Sequence, residues 1–227
     1  MRTRILSVIA IVIITLLTAV SCNIIPGKSY DATSADYFDF TAREDGTYEI
    51  SLKANVEIPA KVVFPESYNG VEVTSIAEES FKGNASISEV TIPVGYDYIG
   101  NGAFAYCPNL KKVKIATLGY GDERRLTIGY DAFRECKALI DLKVGSAVKV
   151  IEGYAFYETK ISSVSLTKVE SLGVCSFGLC TSLKNVFIPA TLTSIHERAF
   201  EYSDNATFKV ADGNTVYKAE NGQLVRK

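Results

Sequence analysis

The stretch LKNVFIPATLTSIHERAFEYS, residues 183–203, contains the pattern that decides the fold. Val186 and Ile188 stand two residues apart, a spacing that places both side chains on one face of a short strand. Further on, Ile195 precedes Phe200 by five residues, in a segment that suits a tight turn or a single helical turn. One such unit cannot bury its own apolar side chains, so it can fold only as part of a stacked series.

The same pattern recurs six times along the chain, with steps of 23, 29, 23, 21 and 23 residues between the repeat Phe residues. Each copy has an aliphatic residue, a Phe five places later and then an alternating apolar pair. The six sets are Ile76, Phe81 and Val90/Ile92; Ile99, Phe104 and Val113/Ile115; Ile128, Phe133 and Leu142/Val144; Ile151, Phe156 and Val164/Leu166; Leu172, Phe177 and Val186/Ile188; and Ile195, Phe200 and Phe208/Val210. A period of about 20–29 residues with one strand per period is typical of leucine-rich repeats. The sequence therefore predicts a leucine-rich-repeat solenoid of about six coils, each of about 23 residues, with a parallel β-sheet.

The one long step contains an insertion, Thr117 to Arg125, between two copies of the repeat. Solenoids carry insertions on their surface, so this segment is expected to form an exposed loop. Tyr120, Arg124 and Arg125 combine an aromatic ring with cationic groups, and we count them as candidate ligand-binding residues.

The repeat resembles that of the BspA-like leucine-rich-repeat family of bacterial cell-surface proteins. Leu183 to Pro189 and Ile99 to Cys107 carry the two halves of the family motif. Glu44 to Ile50 and Val210 to Leu224 are similar to its terminal hairpins. Such hairpins would cover the core and the strand edges that a solenoid exposes at its ends. The resemblance implies an N-terminal capping hairpin over residues 38–70, repeats over 71–210 and a C-terminal capping β-hairpin over 211–227.

Residues 1–21 have the three-part pattern of a secretory signal peptide, with an apolar run from Ile5 to Val20 that is short for a membrane span. Leu17 to Cys22 resembles the lipobox of bacterial lipoproteins, with Ala19 where that motif usually has Leu. The resemblance implies lipidation of Cys22, followed by a linker over 22–37. An ordinary cleaved signal or an uncleaved anchor would also place the domain outside the cytoplasm.

The expected location is therefore the cell envelope, with the chain lipid-anchored at the outer membrane or cell surface. Asn23 agrees with the outer membrane, because Asp at that place is the residue that retains lipoproteins at the inner membrane. The chain has 24 Lys and Arg against 26 Asp and Glu, which argues against a nucleic-acid partner. A monomer that binds a protein or another macromolecule is expected.

The residue types that usually carry catalysis or bind metals do not form a recognisable motif. Cys107, Cys136 and Cys180 each follow a repeat Phe by three residues, so they are expected to be small buried side chains at one position of the coil. Cys107 and Cys136 belong to adjacent coils, and whether they form a disulfide is left open. His196 occupies a slot that holds Gly, Glu or Ala in other copies, which indicates a tolerant surface turn. We expect no enzyme activity, no cofactor and no metal site.

The outward face of the predicted strands is the candidate binding surface. Its central row is Thr91, Lys114, Lys143, Ser165, Phe187 and Lys209, and its flanking row is Glu89, Lys112, Asp141, Ser163, Asn185 and Thr207. Lys112, Lys114, Lys143, Phe187 and Lys209 are the candidate ligand-binding residues, because exposed cations and aromatic rings are typical of binding hot spots. The lysines could instead only solvate the sheet, and Phe187 could pack against a neighbour.

Two functions fit this surface. The first is a surface-exposed lipoprotein that binds a macromolecule through the sheet face; the family resemblance implies adhesion or host-matrix contact. The second is a scaffolding or assembly lipoprotein of the periplasm or envelope that has no host ligand.

Overall fold

The computed structural model describes residues 31–117, 119 and 123–227. The signal segment, Cys22 and Tyr120 lie outside the described residues. A 3-10 turn at Ala35–Tyr37 is followed by the strands β1 (Phe38–Ala42), β2 (Tyr48–Leu52), β3 (Lys61–Val63), β4 (Ser67–Tyr68), β5 (Val71–Ile76), β6 (Glu89–Ile92), β7 (Tyr98–Ile99), β8 (Lys112–Ile115), β9 (Leu126–Ile128), β10 (Asp141–Lys143), β11 (Val148–Ile151), β12 (Ser163–Ser165), β13 (Ser171–Leu172), β14 (Asn185–Ile188), β15 (Ser194–Ile195), β16 (Thr207–Val210), β17 (Tyr217–Glu220) and β18 (Gln223–Arg226).

One long sheet is built on the aliphatic residue that precedes each repeat Phe. Its strand order is β1-β2-β5-β7-β9-β11-β13-β15, and all neighbours from β2 onward are parallel. The ladder pairs Ile50 with Ile76, Ile76 with Ile99, and so on to Ile195. The fold is therefore the predicted leucine-rich-repeat solenoid, and it has one coil more than the repeat Phe residues indicate because the first coil lacks such a Phe.

The Phe segments form a second ladder along another side of the solenoid. Successive rings from Phe81 to Phe200 stack with centroid separations of 5.0, 5.1, 5.2, 5.2 and 5.7 Å. In each turn before the last, alternate backbone N–H groups donate to the next coil, as in the 2.8 Å bond from Phe104 to the carbonyl of Ala132. Asp131 and Glu135, which flank Phe133 at two residues on either side, have φ of 56° and 54°. The turns therefore combine left-handed backbone with inter-coil hydrogen bonds, which offset the cost of that conformation.

The alternating pairs of the sequence form a third, interrupted set of strands. A four-stranded sheet has the order β10-β8-β6-β3, and a three-stranded sheet has the order β12-β14-β16. Within the described residues no ladder joins β10 to β12, although the sequence predicts one continuous sheet here. The break coincides with a short coil, in which Ile161 follows Phe156 by five residues, whereas the equivalent spacing in the neighbouring coils is six. This coil, one residue shorter, keeps its Phe stacking and the pairing of β12 with β14, and only the pairing of β12 with β10 is missing.

Hairpins lie at both ends of the solenoid. β1 and β2 pair antiparallel, and β2 then joins the long sheet. At the other end β17 and β18 pair antiparallel, and the Tyr217 hydroxyl accepts a 2.9 Å hydrogen bond from the Ile195 N–H. The amide of buried Asn214 donates to the carbonyls of Pro189 and Leu192 at 2.8 and 2.9 Å. The closing segment thus pairs backbone groups that the last coil would otherwise leave without partners. No helix among the described residues is long and apolar enough to cross a membrane.

Candidate functional site

The strand registers place the outward side chains in two rows. In the central row Thr91 lies beside Lys114 and Lys114 beside Lys143, while Ser165, Phe187 and Lys209 are adjacent beyond the break. Thr91 is buried, so the exposed part of this row begins at Lys114. In the flanking row Glu89, Lys112 and Asp141 are adjacent, as are Ser163, Asn185 and Thr207. We call these two rows together the sheet face. The candidate strand residues of the sequence analysis all belong to it.

Charges in the flanking row largely offset one another. The Lys112 ammonium lies 3.6 Å from a Glu89 carboxylate oxygen and 3.7 Å from one of Asp141. Lys112 therefore contributes little net positive potential, although the sequence analysis groups it with Lys114 and Lys143. These ion pairs could have been predicted from the sequence, because an acid, a base and an acid occupy the three adjacent positions of the row.

The central row contains cations and an aromatic ring but no carboxylate. The Lys143 side chain is 71% exposed, and its ammonium lies 3.6 Å from the Asp141 carboxylate in the flanking row. Lys209 is exposed, and Lys114 is half-buried. Phe187 is 40% exposed between Ser165 and Lys209. Exposure of a large ring on a strand whose other face is buried leaves an apolar area that a partner could cover.

An open groove of about 540 Å³ lies over the break between β10 and β12. Leu142, Val164 and Val186 are buried, at most 5% exposed, and form the apolar floor beneath the groove. Lys143 lines one side of it, and Phe187 and Lys209 line the other. The sequence analysis does not predict this groove, although the five-residue spacing after Phe156 marks its position.

The insertion contributes less to this surface than the strands do. Thr117, its first residue, lines the groove. Arg125 instead forms two hydrogen bonds with Glu170, at 2.9 and 2.6 Å, and these bonds hold the pKa of the Glu170 carboxyl below its usual value. Arg124 and Arg125 are both exposed. The structure therefore brings together Lys143, Phe187 and Lys209 at the groove, whereas Arg125 pairs with Glu170, which does not line the groove.

The cysteines of the repeat are buried and hold the coils in register. The thiols of Cys107, Cys136 and Cys180 donate to the carbonyl of the repeat Phe in the preceding coil, at 3.1, 3.1 and 3.2 Å. Ser203 makes the same bond at 2.7 Å, so the position selects a small donor and not simply a small apolar residue. The described cysteines are free thiols. A hydrogen bond with Cys107, together with burial, raises the pKa of Cys136 well above its usual value.

His196 is exposed and has a structural contact. Its Nδ1 atom accepts a 3.1 Å hydrogen bond from the backbone N–H of Arg198 in the last Phe turn, where no further coil follows to accept it. Within the described part of the chain, no cluster of three His, Cys, Asp or Glu side chains could hold a metal ion.

Comparison with known proteins identifies the repeat. The model of the BspA-type leucine-rich repeat region, in six copies, matches residues 54–120 and 122–220. No curated protein matches the chain. Among solved structures, a leucine-rich cell-surface protein from Faecalibacterium prausnitzii is 23% identical, with a TM-score of 0.59 over 88% of this chain and 59% of that one.

Two further leucine-rich-repeat structures are similar in fold. The protein from Eubacterium ventriosum is 24% identical, with a TM-score of 0.57 over 86% of this chain and 47% of that one. The protein from Bacteroides ovatus is 23% identical, with a TM-score of 0.54 over 83% of this chain and 55% of that one. The chain thus spans about half the length of these three structures, and at this identity the likeness concerns the fold.

Proposed function

The chain belongs to the BspA-type leucine-rich-repeat family, and from that premise we propose that it is a lipid-anchored protein of the bacterial cell surface that binds a protein ligand through its sheet face. The observation that carries the proposal is Phe187, a ring 40% exposed in a strand row beside an open groove. Burying such a ring in a complex would remove apolar area from water without a conformational change in the solenoid.

The proposed lipid anchor at the cell surface is supported by the sequence and by a protein of similar structure. Cys22 follows an apolar run in a lipobox-like segment, and the similar Faecalibacterium protein is described as a cell-surface protein. Replacing Cys22 by Ser should abolish labelling with a fatty-acid analogue and release the protein from membranes. Retention of the variant in the membrane fraction would contradict lipidation as the anchor.

Binding is tested by a capture screen with two variants. The purified protein would be offered extracellular-matrix proteins and a lysate of the organism's own envelope. Capture of a matrix protein should be lost in Lys114→Glu/Lys143→Glu/Phe187→Ala and kept in Tyr202→Ala, a matched change at a ring that is 61% exposed away from the sheet face. Equal loss in both variants, or in neither, would refute the sheet face as the binding surface.

Exposure on the cell distinguishes the surface protein from an internal scaffold. Protease added to intact cells should degrade a surface-exposed chain. Full protection, together with capture of envelope proteins alone, would favour the second function, a periplasmic or envelope scaffold that has no host ligand.

A further inference from the structure

The two strand rows differ in the charge that they present to a ligand. The flanking row pairs Lys112 with Glu89 and Asp141, at 3.6 and 3.7 Å. The central row holds Lys114, Lys143 and Lys209 with no acid among its members. Asp141 also lies 3.6 Å from the Lys143 ammonium. The four lysines of the two rows therefore face two carboxylates, Glu89 and Asp141, and the sheet face carries a net positive charge on a chain whose net charge is −2.

The central row has an apolar centre and a cation on each side of the break. Lys143 is the last member of the row before the break, and Lys209 lies two strands beyond Ser165. Phe187 and the apolar floor formed by Leu142, Val164 and Val186 lie between the two lysines. A ligand that fits must therefore bring anionic groups to both ends and an apolar group to the middle.

The spacing of the two cations matches an extended peptide. Three strand-to-strand steps separate Lys143 from Lys209, of which two are hydrogen-bonded and the one across the break is not. At about 4.8 Å for a hydrogen-bonded step, the Cα atoms of the two lysines lie at least about 14 Å apart, and their long side chains can lean toward each other. In an extended chain, residues that share a face are about 6.8 Å apart for each two residues, so the first and fifth residues are separated by about 13–14 Å. Carboxylates at those two positions would meet Lys143 and Lys209, and the third side chain would lie over the groove.

We infer that the sheet face recognises an extended acidic segment of its protein partner, laid across the strands at the break between β10 and β12, with two carboxylates flanking an apolar side chain. This inference rests on the proposed function, because it specifies the ligand of the same face. The carboxylates of the segment would pair with Lys143 and Lys209, and its central side chain would pack against Phe187 and enter the groove.

A continuous polyanion fits this surface less well than spaced carboxylates do. Glu89 and Asp141 lie next to the central row and would repel the many anionic groups of a densely charged chain such as a sulfated glycan. A peptide with spaced carboxylates brings only one of them near Asp141, where the Lys143 ammonium contacts Asp141 as well. Such a chain also has no apolar group for the groove. The geometry therefore favours a peptide in which charge and apolar character alternate at the spacing of a strand.

The test is a selection from a displayed library of random heptapeptides on the full-length protein. Enriched sequences should carry Asp or Glu at two positions four residues apart and Leu, Val, Ile or Phe midway between them. The best of these peptides, synthesised with a fluorescent label, should bind about tenfold less tightly to Lys143→Gln/Lys209→Gln. Its affinity for Lys160→Gln, a change at an exposed lysine outside both rows, should be unchanged.

Three results would overturn the inference. They are enrichment without the spaced acids, equal affinity of the labelled peptide for the double variant, and binding of heparin in preference to the peptide. Because these lysines are exposed, circular dichroism should show that the variants keep the fold. If the capture screen still loses its ligand with the sheet-face variant, only the acidic-segment inference fails; if the screen shows no dependence on that face, the proposed function fails as well.

Discussion

Replacing Phe156 by Ala should lower the free energy of unfolding by about 3–5 kcal/mol. The Phe156 side chain is fully buried, and its ring stacks on Phe133 and on Phe177 with centroid separations of 5.2 Å on both sides. Each stacked pair adds about 0.5–1.5 kcal/mol beyond the burial of area. Since a coil is stabilised by its two neighbours, the cavity would weaken both interfaces at once.

Denaturation in urea, followed by circular dichroism, measures this loss. Phe200→Ala is the matched control within the stack, because Phe200 is half-buried and stacks on only one other repeat Phe, at 5.7 Å. It should lose less stability than Phe156→Ala. Phe187→Ala, at a ring that is 40% exposed, should lose less than about 1 kcal/mol. A loss below about 1 kcal/mol for Phe156→Ala, or one no larger than for Phe187→Ala, would refute the stacked-core interpretation.

Three further changes test other contacts. Gly145→Ala should destabilise the fold by about 1–3 kcal/mol in thermal melts, because the added Cβ would lie 1.9 Å from a carbonyl oxygen of the neighbouring coil. Gly213→Ala is the control and should be nearly neutral, because its Cβ would meet no atom nearer than 3.4 Å. Glu170→Gln should cost less than about 1 kcal/mol at neutral pH, since its pair with Arg125 is exposed. That pair lowers the folded-state pKa of Glu170, so its contribution to stability is present above the unfolded pKa of about 4.5 and is lost as the pH falls through the folded pKa. If the wild-type protein were still more stable than Glu170→Gln at pH 2, the ion pair would not be the source of the difference. Cys136, buried and with a raised pKa, should react with a maleimide at pH 7 only after denaturant is added, and rapid labelling of the native protein, followed by mass spectrometry, would contradict its burial.

Much of the binding face could be predicted from local pattern. Alternation places Lys114 and Phe187 on the outer face because successive strand residues point to opposite sides. Stacking of the repeats then brings equivalent residues side by side although the step varies from 21 to 29 residues, so that Lys143 lies beside Lys114 and Lys209 beside Phe187. These predictions need only the position of each residue in the repeat and the alternation of side chains along a strand.

The Phe turns and the long sheet could not be predicted in the same way. Leu179 and Glu158 have φ of 53° and 57°, a conformation that local preference assigns to Gly or Asn. They adopt it because the turn donates hydrogen bonds to the next coil, and that bond pattern exists only after stacking. Three of the strands on the Ile side, β7, β13 and β15, are only two residues long, too short for an alternation to be recognised.

The groove lies where ring stacking between two coils is kept and strand pairing between them is lost. A coil shortened by one residue between Phe156 and Ile161 keeps its stacked ring and its pairing with the following coil, but not the pairing of its strand with the preceding one. The ring stack is kept at 5.2 Å, and the pairing of β10 with β12 is lost. The spacing is visible in the sequence, but which of the two interactions wins follows from the relative strength of the contacts in the folded chain.

The break between β10 and β12 also affects how the solenoid responds to force. Two of its three sides, the long sheet and the Phe turns, continue past this level and resist separation of the coils. The third side has no ladder hydrogen bonds to stretch there among the described residues. Beside the break the Lys160 N–H still donates a 3.0 Å bond to the Leu139 carbonyl. Flexure that widens the groove therefore stretches fewer backbone hydrogen bonds at this level than flexure that opens the long sheet, and this side coincides with the proposed ligand position.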